Sequence, residues 1–365
     1  MYQGLNLQGL ATEVERQQNA KRDFIAPVTE LATRSSVTYN RAGQQRQAVP
    51  QTMLTIPSIG EWEVSGIAHA QIASHLGIPK PYYDKLRTEQ PALLDENINT
   101  WFAASSIESR RMVRTLDANA RAFLSDRYRP LDNYDLLQNV LPVISDLKLE
   151  VQSLGLTERN MSIKVFSQTL LEEVRVGDVV RAGIWISNSE VGHGALNISP
   201  MTERLVCSNG MISTDYAQRK YHVGRLYANT TEEEAREYFT DKTMRLDDLA
   251  FWAKAIDTLR AVMTEEVFMS IVNRMRESTE RVIAGNPVKV VEVFGKQNGL
   301  TQEKQTNILT HLIKGGDLTQ WGLANAVTRA AQDVDNYDDA NTLEALGGNV
   351  ITLSPKDWKV ISTQK

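Results

Sequence analysis

The stretch MSIKVFSQ, residues 161–168, decides the fold class of this chain. Met161, Ile163 and Val165 alternate with residues of a different character, and a period of two is typical of a strand whose faces meet different surroundings. The run VVRAGIWIS, residues 179–187, is rich in β-branched residues and predicts a further strand. These runs indicate a sheet in the middle of the chain.

Outside this sheet the apolar residues recur at helical spacing. Such spacing covers residues 66–102, and Thr231 followed by Glu234 forms a capping box that opens a series of long apolar stripes. The sequence therefore predicts an α+β fold, with a central, mostly antiparallel sheet flanked by an N-terminal helical subdomain and a C-terminal helical region. The three expected parts are a helical segment and loop at residues 1–105, a β-rich core at 106–230, and a helical region at 231–365 packed on that core.

Composition narrows the class of protein. The chain has 365 residues, a net charge of −5 and a single cysteine, so an internal disulfide is excluded and a reducing compartment fits best. About eighteen consecutive apolar residues, the length of a bilayer span, occur nowhere, and the N-terminus lacks the pattern of a secretion signal. We expect a cytoplasmic protein without a membrane partner.

Arginines are dense between residues 110 and 129, where Phe123 and Tyr128 accompany them. Guanidinium groups beside aromatic rings on strands can bind a single strand through phosphate contacts and base stacking. The alternative is that nearby acids neutralise them. Those acids are Asp117, Asp126, Asp132 and Asp135. The predicted nucleic-acid contacts are Arg110, Arg111, Arg114, Arg127, Tyr128, Arg129, Arg204 and Lys220.

The sequence assigns no catalytic residue, metal ligand or cofactor, and it favours a protein that is not an enzyme. The glycines of SNSEVGHGALN, residues 187–197, do not complete a dinucleotide fingerprint, and a turn that needs a positive φ explains them without a ligand. His193 and Cys207 lack the spacing of a metal site or a Cys–His pair.

Three stretches together resemble the phage/plasmid-like protein family called domain of unknown function 932. They are RAFLSDRYRPL at residues 121–131, SNSEVGHGALNISPMTERLVCSNGM at 187–211, and the segment from WGLANAVTRAAQ to LEALGG at 321–348. The resemblance spans roughly residues 60–350 and implies an origin in mobile elements, without supplying a catalytic residue. The motif residues are Asn188, Gly192, Gly194, Cys207, Asn209 and Gly210.

Two hypotheses for function follow. In the first, the chain binds or anneals single-stranded DNA during replication or recombination of a mobile element, as a homo-oligomer, through its arginine-bearing sheet. In the second, it contacts a host protein, as a counter-defence or phage accessory factor, and its acidity serves that contact. The acidic runs at residues 232–234 and 333–339 support the second hypothesis.

Overall fold

A computed structural model describes residues 2–3, 6–36, 50–206, 209–213, 218–220 and 241–364. Within these ranges the chain forms two sheets and twelve α-helices. The predicted α+β class with mostly antiparallel pairing is confirmed. The sequence pattern predicted one central sheet, whereas the strands divide between a larger and a smaller sheet.

The larger sheet contains the two runs that indicated strands. Its strands are β1 (Tyr2–Gln3), β8 (Glu150–Leu156), β9 (Met161–Arg175), β10 (Asp178–Asn188), β11 (Leu196–Arg204), β12 (Asn209–Ile212) and β13 (Gln218–Lys220). The order is β1-β8-β9-β10-β11-β12, with β13 also paired to β11, and every pairing is antiparallel. One face carries Ile163, Val165 and Ile184, which are fully buried. They pack under the helices α1 (Leu7–Ala20), α5 (Asn133–Asp146) and α6 (Asp241–Val262).

The smaller sheet takes four of its six strands from the first 64 residues. Its strands are β2 (Arg22–Pro27), β3 (Ala32–Ser36), β4 (Gln51–Ile56), β5 (Gly60–Val64), β6 (Arg110–Leu116) and β7 (Asn119–Ser125). The order is β2-β6-β7-β5-β4-β3, and only β5 and β7 run parallel. The sequence analysis described residues 1–105 as helical with a loop and missed β2 to β5, because these strands are short and the apolar runs end at prolines or glycines.

Three helices accompany the smaller sheet: α2 (Gly66–His75), α3 (Lys80–Glu89) and α4 (Pro91–Ala103). The edge strand β3 lies against α4. The backbone N–H of Thr33 donates to Asn99 Oδ1 at 2.7 Å, and Asn99 Nδ2 donates to the Thr33 carbonyl at 2.9 Å. The N–H of Ser35 donates to Asp95 Oδ2 at 2.6 Å. Side chains of α4 therefore take the hydrogen bonds that a further strand would take.

The C-terminal helices cover the other face of the larger sheet. They are α7 (Glu265–Glu280), α8 (Pro287–Gln297), α9 (Gln302–Gly315), α10 (Gln320–Ala330), α11 (Tyr337–Thr352) and α12 (Pro355–Ser362). Thr264, Thr301 and Thr319 accept hydrogen bonds from first-turn amides and so fix where α7, α9 and α10 begin. No helix in the described ranges has the length and apolar character needed to cross a bilayer.

Candidate nucleic-acid interface

The β6–β7 hairpin carries most of the arginines in question, and the structure separates them into two groups. β6 pairs with β7 in antiparallel register, with Arg111 opposite Ser125 and Arg114 opposite Ala122. Arg114 and Arg121 enter the junction between the two sheets, while Arg110, Arg111 and Arg127 lie where β6 begins and β7 ends. The first group is ion-paired with carboxylates, and within the described ranges the second is not.

Arg114 is the centre of the first group, and its side chain is 0% exposed. Its Nε and Nη2 donate to the two carboxylate oxygens of Asp23 at 2.9 and 3.0 Å, and Nη2 also donates to Asp132 Oδ1 at 2.7 Å. Its Nη1 donates to the backbone carbonyl of Glu190 at 2.9 Å. A guanidinium offers five N–H donors in a rigid fork, and this site uses its three nitrogens.

Neighbouring charges complete this cluster. Lys21 pairs with Asp132, and Arg121 Nη1 lies 2.7 Å from Glu190 Oε2. The closed hub, as we call it, consists of Lys21, Asp23, Arg114, Arg121, Asp132 and Glu190, so three cations face three anions. Burial acts to raise the pKa of Asp132, but Arg114 and Lys21 outweigh it and hold that pKa below its ordinary value. The formal charges of the hub therefore balance, although Nε and Nη2 of Arg121 are buried without a hydrogen-bond partner.

These contacts correct the prediction for four residues. Arg114 is inaccessible to a phosphate because it is buried in the hub. Tyr128 is only 9% exposed, donates to the Ser189 carbonyl at 3.1 Å and lies beneath the Arg114 guanidinium, so it offers no stacking face. Arg129 pairs with Asp247 at 3.1 Å, and Arg204 pairs with Asp178 at 2.5 Å. The alternative that nearby acids neutralise the arginines is confirmed for Arg114 and Asp132.

The motif loop after β10 positions the hub. Asn188 is fully buried, and its Nδ2 donates to the Leu131 carbonyl at 2.7 Å and to Asn133 Oδ1 at 2.9 Å. Gly192 has φ +75°, and a Cβ there would lie 2.7 Å from Leu124 Cδ2. The expected positive φ is therefore confirmed at Gly192. A Cβ at Gly194 would make only ordinary contacts, the nearest at 3.8 Å from Asn160 Oδ1, and Gly194 does not share the positive φ.

The remaining motif residues lie on or beside the larger sheet. Gly210, in β12, pairs with Glu203 of β11, and a Cβ at Gly210 would lie 2.9 Å from Glu344 Oε1. The backbone of Asn209, in β12, pairs with that of Arg204 in β11. The backbone of Lys220, in β13, pairs with that of Leu196 in β11. Cys207 and the side chains of Asn209 and Lys220 lie outside the described residues. Where the motif is described, it allows close packing between elements.

The second group is the open arginine end, which consists of Arg110, Arg111 and Arg127. Arg110 and Arg127 are exposed, and Arg111 is partly buried. The register that places Arg111 opposite Ser125 brings the start of β6 beside the segment that carries Arg127. In the part of the chain that the structure describes, none of the three guanidinium groups forms an ion pair with a carboxylate. These are the predicted contacts that stay available to an anion.

Arg111 is the most constrained member of the open arginine end. Its Nη2 donates to His75 Nδ1 at 2.7 Å, while its Nε is buried and has no hydrogen-bond partner. Burial lowers the pKa of Arg111, and the nearby Asp126 carboxylate acts in the opposite direction. Burial, followed by the charge of Arg111, lowers the pKa of His75 to about 4. His75 is therefore neutral at pH 7 and does not compensate the guanidinium charge.

His75 is a site residue that sequence reasoning missed. It ends α2, 36 residues before Arg111, and no local motif links the two positions. Only the packing of α2 on β7 brings them together. No group of three or more His, Cys, Asp or Glu side chains in the described ranges could hold a metal ion.

Comparison with known proteins adds nothing to this geometry, since no family model, curated protein or solved structure matches the chain. The resemblance to phage and plasmid proteins stays a prediction.

Proposed function

We propose that this chain binds single-stranded DNA without catalysing a reaction, and that the open arginine end forms the binding site. The observation that carries the proposal is the partly buried guanidinium of Arg111, which contacts no carboxylate and lies beside the two exposed arginines. A charge removed from water without a counter-ion is destabilising. A phosphate oxygen can supply the contacting anion that Asp126 does not, since that carboxylate acts on Arg111 only through its charge and forms no ion pair with it.

The negative total charge is compatible with this proposal because the acids are unevenly placed. Three carboxylates of the described chain are ion-paired within the closed hub. Others form surface pairs such as Arg34–Glu61 and Arg276–Glu172. A local site of few arginines supports weak, salt-sensitive binding. The resemblance to mobile-element proteins would connect such binding to replication or recombination.

Fluorescence anisotropy with a labelled single-stranded oligonucleotide at low salt tests the proposal. We expect the R110Q/R111Q/R127Q variant to bind at least about tenfold more weakly, and the slope of log affinity against log salt to fall by about 2, since single strands release roughly 0.7 ion per phosphate contact. The matched control is R16Q/R34Q/R276Q, which removes three arginines that are exposed and ion-paired.

Two outcomes would contradict the proposal. One is that the unaltered chain shows no binding at protein concentrations on the order of tens of micromolar. The other is that the control variant loses as much affinity as the site variant, which would show that only net charge matters.

A second candidate function, contact with a host protein, is favoured by an apolar surface at the β9–β10 turn. Val176 at this turn is 98% exposed, and Leu205 and Val206 beside it are also exposed. Clustered apolar side chains in water are typical of protein contacts. The acidic run at residues 333–339 supports this candidate less, because Asp333 pairs with His311 and Asp339 pairs with Lys304. The run at 232–234 lies outside the described residues.

The variant V176D/V206D tests this second candidate in a pull-down from host lysate. We expect the unaltered chain to retain a protein that the variant loses. Recovery of the same proteins with both baits would contradict an apolar contact at this turn.

A further inference from the structure

We infer that the groove between α1 and α5 is a binding site for a small organic cation, a molecule with an apolar body and one ammonium group. The groove encloses about 420 Å³, which is within the range of pockets that hold small molecules. It shares no lining residue with the open arginine end, so this inference does not rest on the proposed function.

Side chains of the two helices form an apolar base to the groove. Val14 of α1 and Leu137 of α5 line it, and both are buried in the core under the larger sheet. Ala11 adds only a methyl group on the α1 side, which leaves room between the helices. Lys21, directly after α1, pairs with Asp132, directly before α5. The closed hub therefore ties the two helices together, and the groove exists before a ligand arrives.

A carboxylate without a counter-ion gives the groove its charge. Glu15 is the only charged residue among the described residues that line it, and within the described ranges its side chain forms no ion pair. The neighbouring cation, Arg16, is occupied because it contacts Glu13 and Asp117. An ammonium can therefore pair with Glu15 without displacing a partner, whereas an anion in the groove would be repelled.

Two further groups in the groove attract a positively charged donor. The ring of Tyr134 lines the groove, and the face of an aromatic ring attracts an ammonium. Pro142 lies inside α5 and has no N–H, so the Gln138 carbonyl lacks the hydrogen bond that residue 142 gives in a regular helix. Both Gln138 and Pro142 line the groove. An ammonium on an apolar body is the ligand that can use the carboxylate, the ring, the carbonyl and the apolar base together.

Three probes of similar shape test the class of ligand: 4-phenylbutylamine, which is cationic at pH 7, the neutral 4-phenylbutanol, and the anionic 4-phenylbutyrate. Ligand-observed NMR titrations of the full chain measure their dissociation constants. We expect the amine to bind about fivefold more tightly than the alcohol, since one exposed ion pair and one cation–π contact each contribute modestly. The carboxylate should bind most weakly.

Four variants locate the binding. E15Q should remove the preference for the amine and leave the affinity for the alcohol unchanged. The matched control is E96Q, which neutralises an exposed glutamate on α4 and should keep the preference. P142A supplies an N–H to the Gln138 carbonyl and should weaken the amine and the alcohol by about threefold each, because both donate a hydrogen bond. A11F should fill the groove and abolish binding of every probe.

Several outcomes would overturn the inference. Absence of binding, or equal binding of the three probes by the unaltered chain, would mean that the groove does not select a cation. Loss of the preference in E96Q as well as in E15Q would show that only net charge matters. Binding that persists in folded A11F would place the site elsewhere. E15Q changes an exposed side chain, so the test stays decisive even if A11F does not fold.

Discussion

The closed hub and the open arginine end are built on the same pair of strands, yet they handle positive charge in opposite ways. Arg114 is buried and touches two carboxylates and a carbonyl, whereas Arg111, three residues earlier, contacts only a neutral imidazole. Both arginines lie in β6, so the strand does not decide their roles. What differs is the element packed against each one.

Acidic side chains reach Arg114 from several directions. Asp23 lies on β2, Asp132 directly precedes α5, and Glu190, whose backbone carbonyl accepts from Arg114, follows β10. The other end of the strand meets the C-terminus of α2, which supplies His75 and no acid. An arginine count in a sequence therefore overstates a binding surface unless the opposing elements are known.

The largest expected effect comes from breaking the hub. R114M should lower the free energy of unfolding by about 3–5 kcal/mol, because it leaves buried carboxylates without their main counter-charge. Urea denaturation measures this loss. R127Q at the open end is the matched control and should change the unfolding free energy by less than about 0.5 kcal/mol. Similar losses in both variants would contradict the distinction between the two groups.

A smaller effect is expected from the loop that positions the hub. G192A should cost about 1–3 kcal/mol, since a side chain strains the φ of +75° and a Cβ would crowd Leu124. G194A should stay within about 0.5 kcal/mol, because a Cβ there would make only ordinary van der Waals contacts and the φ is not positive. Thermal or urea unfolding of the two variants gives the comparison, and equal losses would mean that the loop is not constrained at Gly192.

The smallest effect concerns pH and distinguishes the two groups by the pH range in which stability is lost, since both lose stability as the pH falls. The pKa of His75 is lowered from 6.5 to about 4 in the folded chain. Between these values the unfolded chain binds more protons, so stability should fall as the pH drops from about 6.5 to about 4. Asp132 has a lowered pKa, so the hub contributes fully above its ordinary value of 3.8 and weakens only below it.

Urea unfolding at several pH values across this range measures the dependence on His75. H75Q should reduce the decrease in unfolding free energy on acidification. The difference should be smaller than the losses expected for R114M and G192A, because His75 is only partly buried and its charge is screened. Since His69 also has a lowered pKa, of about 3, the difference between H75Q and the unaltered chain is the quantity that counts. An unchanged pH profile in H75Q would contradict the neutral state of His75.

The sequence predicted the fold class because period alone identifies strands such as β9 and long helices such as α7. It could not predict the smaller sheet as a unit, since β2 pairs with β6 across about ninety residues. The same limit applied to the site. Asp132, 18 residues from Arg114, was among the acids named as neutralising partners, whereas Asp23, 91 residues away, carries no local signal.

The hydrogen bonds between Asn99 and Thr33 and between Asp95 and Ser35 have a consequence for how copies of the chain meet in solution. An uncovered outer strand is a template on which another polypeptide can add, and successive additions produce aggregates. Along β3 the side chains of α4 already occupy that position. Growth of the smaller sheet by addition of a strand along β3 is therefore blocked.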